Sequence, residues 1–76
     1  MKIEQISYNE ETDRLECGGT GIHCGDCLEV LLPSEDGSIT WQEVSFEARF
    51  EIDGAARWYM PGKKGISPIG LFARKN

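Results

Sequence analysis

The stretch Val44-Ser45-Phe46-Glu47-Ala48-Arg49-Phe50-Glu51-Ile52 decides the fold, because polar and apolar residues alternate along its whole length. A period of two is the pattern of a half-buried β-strand. The residues predicted to face the core are Val44, Phe46, Ala48, Phe50 and Ile52. Ile39 and Trp41 have the opposite parity, which predicts a bulge or bend near Gln42 that changes the phase.

The Asp53-Gly54 pair that follows this strand predicts a hairpin. A two-residue loop would place Arg57 opposite Phe50 and bury a charge. An odd, three-residue loop instead places Ala56, Trp58 and Met60 on the apolar face, and glycine suits the left-handed position that such a loop needs. We therefore predict the odd loop, with Trp58 in the core and with Arg57 and Tyr59 outside.

The rest of the chain is divided by turn signals at short spacing, and no segment carries a helical stripe over three turns. The predicted strands are Lys2–Tyr8, Arg14–Cys17, Cys27–Leu32, Ile39–Arg49, Ala56–Met60 and Ile69–Arg74. This pattern is typical of an all-β fold, and we predict an SH3-like small barrel of five to six antiparallel strands, with residues 1–76 as a single domain. The core predicted for it is Leu28, Val30, Phe46, Phe50, Trp58 and Leu71, with Leu32 on the same face and Glu29 in solvent.

Length and composition limit the function classes. A chain of 76 residues buries only about 60% of its unfolded surface, so it has one thin core. That leaves little room for a water-excluding pocket, and we predict a non-enzymatic protein with no catalytic residue. No apolar run approaches the roughly 20 residues of a membrane span, and the first residues lack a signal-peptide core. Three cysteines are an odd count, which argues against a secreted disulfide framework and predicts a cytoplasmic protein.

Charge is strongly segregated along the chain. All thirteen acidic residues lie at or before Asp53, so the first 53 residues carry a net charge of −10 and the last 23 carry +5. The acidic part disfavours non-specific nucleic-acid binding, because phosphates would be repelled. The basic residues after Asp53 either pair with acidic neighbours across strands or form a patch for an anionic ligand.

The segment from Cys17 to Cys27 contains the residues that could hold a metal. Cys17, His23, Cys24 and Cys27 could be offered as zinc ligands, but adjacent His23 and Cys24 cannot easily both turn to one tetrahedral ion, and no second pair lies downstream. A redox role needs a helix after the Cys24–Cys27 pair, whereas a strand is predicted. We expect no metal and no cofactor, and cysteines that act as small apolar side chains filling gaps.

Two loops are the candidate ligand site. Glycines in Gly18–Asp26 allow backbone N–H groups to approach an anion, and Pro61–Gly65 carries two adjacent lysines. If both loops lie on one rim, a phosphate-sized pocket results; the alternatives are a tight barrel corner and a solvated hairpin tip. Asp26 would repel an anion there unless it bonds to backbone N–H groups. The residues predicted to bind a ligand or partner are Gly19, Gly21, His23, Arg57, Tyr59, Lys63 and Lys64.

Three aromatic residues, Tyr8, Trp41 and Tyr59, are expected to be partly exposed. Exposed aromatic rings on a small barrel commonly anchor a peptide or a base. Each of them also fits edge packing.

One set of motifs resembles a known family. The motifs are Tyr8-Asn9-Glu10-Glu11-Thr12, the run from Gly21-Ile22-His23-Cys24-Gly25-Asp26 into Cys27-Leu28-Glu29-Val30-Leu31, then Trp41, Trp58-Tyr59, Gly70-Leu71 and Arg74. Together they are similar to a family of short, uncharacterised bacterial proteins, a domain of unknown function common in Firmicutes and their mobile elements. The chain departs from it between Val44 and Ala56, which is longer, and near Ser67-Pro68. The resemblance implies a compact β domain of bacterial, phage or plasmid origin, and no activity.

Two functions remain open. The first is a binding module that docks a protein partner through an edge strand or an aromatic groove. The second is a small inhibitor or sponge encoded by a mobile element, which either mimics nucleic acid with its acidic part or holds a small phosphorylated ligand at the glycine and lysine loops. Neither function involves a membrane.

Overall fold

The computed structural model describes residues 2–54, 56–63 and 65–75, and every regular element in them is a strand. The strands are β1 Lys2–Asn9, β2 Arg14–Cys17, β3 Thr20–Gly21, β4 Cys27–Pro33, β5 Ile39–Ser45, β6 Glu47–Phe50, β7 Ala56–Tyr59 and β8 Phe72–Lys75. The all-β prediction is confirmed. No helix in these residues is long and apolar enough to cross a membrane.

Six strands form one antiparallel sheet in the order β3-β2-β1-β8-β4-β5, and β6 pairs with β7 as a separate hairpin. There are more strands than predicted, because the expected strand Ile39–Arg49 is split at Phe46 and because Thr20–Gly21 adds a short strand beside β2. Within the described residues no pairing joins β3 to β5, so the sheet is open.

The split at Phe46 lies opposite a bulge in the neighbouring segment. Phe46 donates its N–H to the carbonyl of Asp26 at 3.0 Å and accepts the N–H of Gly25 at 2.8 Å, so two residues face one. The predicted bulge near Gln42 is wrong, since β4 and β5 pair without a break from Cys27–Ser45 to Pro33–Ile39. Trp41 therefore lies on the face of the sheet opposite to Val44. An unbroken strand accounts for its opposite parity, and no bulge is needed.

The core lies on one face of the sheet and contains Ile6, Leu15, Cys17, Ile22, Val30, Leu32, Val44, Phe46, Met60 and Ala73. Val30 and Phe46 were predicted core residues and are fully buried. Leu28, Trp58 and Leu71 are half-buried and pack against this cluster. The contributions of β1 and β2 were not predicted, because Ile3 and Ile6 of β1 fall on opposite faces of the strand and β2 has only four residues.

The β6–β7 hairpin places Trp58 on the predicted face, but its loop and its burial differ from the prediction: the last pair, Phe50 with Ala56, leaves residues 51–55 between the strands instead of three. Trp58 pairs with Ala48, so the loop is still of odd length. The prediction that Phe50 and Ile52 face the core is nevertheless wrong, because their exposed fractions are 74% and 108%. Within the described residues β7 packs against β2 of the large sheet, and Phe50 and Ile52, at the end of β6 and in the loop after it, lie in solvent. Parity selects a face of a strand, but burial also requires a second layer over that face.

Candidate functional site

Asp13 fixes the position of β7 against the large sheet. Its carboxylate accepts the hydroxyl of Tyr8 and, at 3.0 Å, the backbone N–H of Ala56, while its carbonyl accepts the indole N–H of Trp58 at 3.2 Å. The residue has a φ of 54°, a left-handed conformation that aspartate tolerates better than most residues. Sequence reasoning assigned Asp13 only to a turn, because nothing in the sequence shows that its partners lie 43 and 45 residues further on.

The same contact perturbs the titration of Tyr8. The hydrogen bond from its hydroxyl to Asp13 raises the pKa of Tyr8 above its ordinary value of 10.0, and partial desolvation and the negative charge of Asp13 act in the same direction. The phenol therefore stays neutral, as a hydrogen-bond donor, well beyond neutral pH.

An aromatic cleft of about 560 Å³ lies along one half of β7. It is lined by Tyr8, Glu51, Asp53, Ala56, Arg57, Trp58, Gly65, Ile66, Ser67 and Ile69. Tyr8 and Trp58, both held by Asp13, supply the aromatic surface, and Ile69 has half of its surface exposed. The cleft therefore offers apolar surface with two carboxylates beside it.

A basic cleft of about 300 Å³ lies along the other half of β7. It is lined by Arg49, Arg57, Tyr59, Met60, Pro61, Gly62, Lys63, Gly65 and Ile66. Arg57, Gly65 and Ile66 line both clefts, so the two clefts adjoin and together make a depression beside β7 and Met60. We call this depression the β7 groove.

Positive charge is concentrated at the basic cleft. Arg49 lies directly opposite Arg57 in the β6–β7 ladder, an arrangement of like charges that is mildly unfavourable. Arg57 is paired with Glu51 at 2.8 Å, whereas the guanidinium of Arg49 lies 5.3 Å from the ring centre of Tyr59. Lys63 donates to the neutral amide oxygen of Gln42 at 2.9 Å.

Within the described residues no carboxylate forms a salt bridge with Arg49 or Lys63. Two positive charges in the basic cleft are thus not neutralised by these residues. A carboxylate or phosphate beside Arg49 would gain a charge-assisted hydrogen bond. The arrangement is suited to binding an anionic group.

Of three clefts lined by described residues, none contains residues of both predicted loops. Gly21 and Asp26 line a separate cleft of about 120 Å³, which has no residue in common with the β7 groove. The carboxylate of Asp26 accepts the backbone N–H of His23 at 2.8 Å, and the His23 ring lies 3.6 Å from the same oxygen. Asp26 therefore occupies one of the backbone donors that an anion at this loop would need.

The predicted ligand-binding residues are accordingly divided. Arg57, Tyr59 and Lys63 meet at the basic cleft, while Gly21 and His23 belong to the glycine loop. Gly19, with a φ of 80°, lies in the turn between β2 and β3, as the alternative of a tight corner expects. The prediction for Lys64 lies outside the described residues.

Arg49 is the member of the site that sequence reasoning missed. The predicted alternation placed Arg49 and Arg57 on the same outward face of the hairpin, so two like charges on one exposed face were a usable signal, and the structure pairs them directly. The expectation that basic residues after Asp53 pair with acids across strands is also met in two places. Arg57 pairs with Glu51, and Arg74 makes two hydrogen bonds of 3.1 Å to Glu29.

The three cysteines have different surroundings. Cys17 is buried in the core, as a gap-filling side chain would be, but Cys24 and Cys27 are exposed, so the gap-filling prediction is wrong for them. Cys24 lies in the turn before β4, and Cys27 is the first residue of β4. In the part of the chain that the structure describes, no three His, Cys, Asp or Glu side chains are grouped closely enough to hold a metal ion.

The family model for a domain of unknown function, DUF5348, matches residues 4–74. The resemblance to such a family, inferred from the motifs, is thereby confirmed. Comparison with curated proteins and with solved structures finds no match to this chain.

Proposed function

The chain belongs to the DUF5348 family of unknown function, and we propose that it is a non-enzymatic binding module that holds an extended acidic segment of a partner protein in the β7 groove. The observation that carries the proposal is the direct opposition of Arg49 and Arg57 at one end of a groove lined with aromatic side chains. Two like charges directly opposite each other are mildly unfavourable, and whereas Arg57 is paired with Glu51, none of the described carboxylates forms a salt bridge with Arg49.

The dimensions of the β7 groove suit a short peptide. From Ala56 to Met60 there are four residue steps, which at about 3.3 Å each cover about 13 Å. An extended segment of four or five residues has the same length. Tyr8, Trp58 and Tyr59 offer the rigid aromatic surface on which peptide side chains commonly pack.

The charges along the groove favour one orientation of that segment. Arg49 and Lys63 lie at the basic cleft, and Glu51 and Asp53 lie at the aromatic cleft. An acidic side chain is therefore favoured beside Arg49, and an apolar or basic side chain is favoured beside Trp58. Acidic residues at both ends of the segment would weaken binding.

Binding is favoured over catalysis because the charged groups of the groove are accessible to water. Arg49 and Arg57 are both exposed, and a chemical step requires polar groups in a site that excludes water. Partner binding tolerates such exposure, since charges at the rim of an interface guide association and select the partner.

A second candidate ligand is a small phosphorylated molecule at the basic cleft alone. The three cations Arg49, Arg57 and Lys63 around a cleft of about 300 Å³ favour it. This ligand would not need the aromatic cleft, and that difference separates the two candidates experimentally.

The experiment is a selection of short peptides from a random display library on the wild-type protein. Peptides enriched in Asp and Glu, with an apolar residue nearby, are expected, and they should bind an Arg49→Gln, Arg57→Gln variant much more weakly. Absence of enrichment, or peptides that bind the double variant equally well, would contradict the proposal. Phosphate that shifts the NMR signals of the basic cleft, without any peptide being selected, would favour the phosphorylated ligand.

We also keep as proposals a barrel of the SH3-like type, a bacterial and mobile-element origin, a cytoplasmic location and the role of an inhibitor that mimics nucleic acid. The last is supported by the acidic part of the chain, whose net charge through Asp53 is −10. It predicts that a nucleic-acid-binding partner docks away from the basic cleft.

A further inference from the structure

Strand β5 forms one edge of the six-stranded sheet and pairs with β4 along its entire length. Among the described residues no strand pairs with its other edge. Proteins usually protect such an edge with proline, lysine or a bulge, because its backbone groups otherwise pair with another chain. β5 has none of these, and Glu43 is its one charged residue.

The hydrogen bonds at the two ends of β5 establish which backbone groups face outward. Ser38 accepts the N–H of Ser34 at 2.7 Å, and Phe46 donates to Asp26 at 3.0 Å, so residues 38 and 46 both point toward β4. Backbone groups alternate in direction along a strand, so residues 40, 42 and 44 also point toward β4. The residues whose N–H and C=O groups point to the open edge are Ile39, Trp41, Glu43 and Ser45.

From this pattern we infer that the open edge of β5 binds β5 of a second copy of this chain, antiparallel, about a two-fold axis at Gln42. In that register Trp41 pairs with Glu43 of the second copy, and Ile39 pairs with Ser45 of the second copy. Every outward residue then meets another outward residue, which gives four hydrogen-bonded pairs and about eight hydrogen bonds between the copies. A slip of one residue would set outward groups against groups already bonded to β4.

Side-chain charges favour the same register. Arg74 lies over the ring of Trp41, 4.4 Å from its centre, and bonds to Glu29 on the same face of the sheet. Since Glu43 of the second copy would lie opposite Trp41, its carboxylate would approach the Arg74 guanidinium. In this pairing no two like charges from the two copies would lie directly opposite each other. The acidic parts of the two copies as a whole would still repel each other.

This inference rests on other residues than the proposed function, because no residue of β5 lines the β7 groove. The hydrogen bond from Lys63 to the Gln42 side chain joins the two regions, but it involves no backbone group of the open edge. Two copies paired through β5 would form one continuous sheet of twelve strands and would carry two grooves. The module would then bind a partner with repeated acidic segments more tightly than a monomer could.

Sedimentation velocity on the full chain, from micromolar concentration to about 1 mM, measures the association. The matched variants are Glu43→Pro and Glu43→Thr. Both remove the carboxylate, but only proline removes an outward N–H, and proline is tolerated on an edge strand. Wild type and Glu43→Thr are expected to dimerise, and Glu43→Pro is expected to stay monomeric.

Two results would overturn the inference: a wild-type protein that stays monomeric throughout this range, or a folded Glu43→Pro variant that dimerises like the wild type. If Glu43→Pro does not fold, amide hydrogen exchange of the wild-type protein tests whether β5 pairs with β5 of a second copy. The N–H groups of Trp41 and Glu43 should be protected at high protein concentration and should exchange freely after dilution. Equally fast exchange at both concentrations would exclude pairing through β5. Peptide binding to the β7 groove by Glu43→Thr remains a separate readout of the proposed function.

Discussion

The indole N–H of Trp58 donates to the backbone carbonyl of Asp13 at 3.2 Å, across 45 residues of chain. The side chain of Asp13 holds Tyr8 and Ala56 at the same time. One residue in the turn between β1 and β2 therefore sets the position of β7, and with it the aromatic side of the β7 groove.

Asp13→Ala tests this role. The substitution removes the acceptor of two hydrogen bonds and places alanine at a positive φ, so the free energy of unfolding should fall by about 1–3 kcal/mol. Asp13→Asn, which keeps a side-chain acceptor and tolerates the left-handed conformation, should lose less. Urea denaturation measures both. Equal losses in the two variants would mean that the bonds to Tyr8 and Ala56 contribute little.

The raised pKa of Tyr8 predicts a loss of stability at alkaline pH. A group with a higher pKa in the folded state stabilises fully below its unfolded pKa of about 10 and loses that contribution as pH rises through the folded value. The stability advantage of wild type over Tyr8→Phe should thus be constant at neutral pH and should shrink above pH 10. Urea denaturation of both proteins across this pH range measures the effect. A stability difference between wild type and Tyr8→Phe that does not change with pH would refute the hydrogen bond between Tyr8 and Asp13.

Phe46 and Phe50 were both predicted to face the core, and they test whether a residue on that side of the strand is also buried by other residues. Phe46 is fully buried and Phe50 is 74% exposed. Phe46→Ala should cost about 3–5 kcal/mol of unfolding free energy, and Phe50→Ala should cost no more than about 0.5 kcal/mol. Thermal and urea denaturation of the two variants measure these losses of unfolding free energy. Similar losses would mean that the hairpin tip packs against the sheet.

The thiols give an independent test of burial. A thiol-specific reagent should modify Cys24 and Cys27 quickly in the native protein and Cys17 only after unfolding. The Cys24→Ser, Cys27→Ser double variant should show no fast reaction. Three equally reactive thiols would show that the core around Cys17 is open.

The hairpin was the part of the fold most accessible to prediction. Alternation from Val44 to Ile52 and the Asp53-Gly54 turn were sufficient to place Trp58 on the same face as Ala48, because both signals depend only on neighbouring residues. The exposure of Phe50 depends on how far the large sheet extends, which no local pattern records. The assumed bulge near Gln42 failed because Ile39 and Trp41 were expected to share the face of Val44, whereas Trp41 packs with Arg74 on the other face.

For the candidate site, too, local features could be predicted from the sequence and contacts between distant residues could not. Arg57, Tyr59 and Lys63 were identified because exposed positions on a predicted hairpin and its loop are local features. Asp13 and the meeting of the 65–69 segment with β7 are contacts between distant parts of the chain. Charge and spacing alone could not show that the glycine loop would lie in a different cleft.

The proposed binding in the β7 groove is tested most directly by fluorescence. Trp41→Phe leaves Trp58 as the single tryptophan, so emission reports the groove. An acidic peptide from the selection is titrated into three proteins that all carry Trp41→Phe. They are the Trp41→Phe protein itself, called the parent, and its Arg49→Gln and Lys2→Gln variants. Lys2→Gln is the control, because it removes an equal charge from an exposed residue of β1.

Loss of a charge-assisted hydrogen bond predicts about tenfold weaker binding for Arg49→Gln or more, with Lys2→Gln close to the parent. Equal affinity of the parent and Arg49→Gln, or an equal loss in Lys2→Gln, would contradict an acidic segment held in the β7 groove.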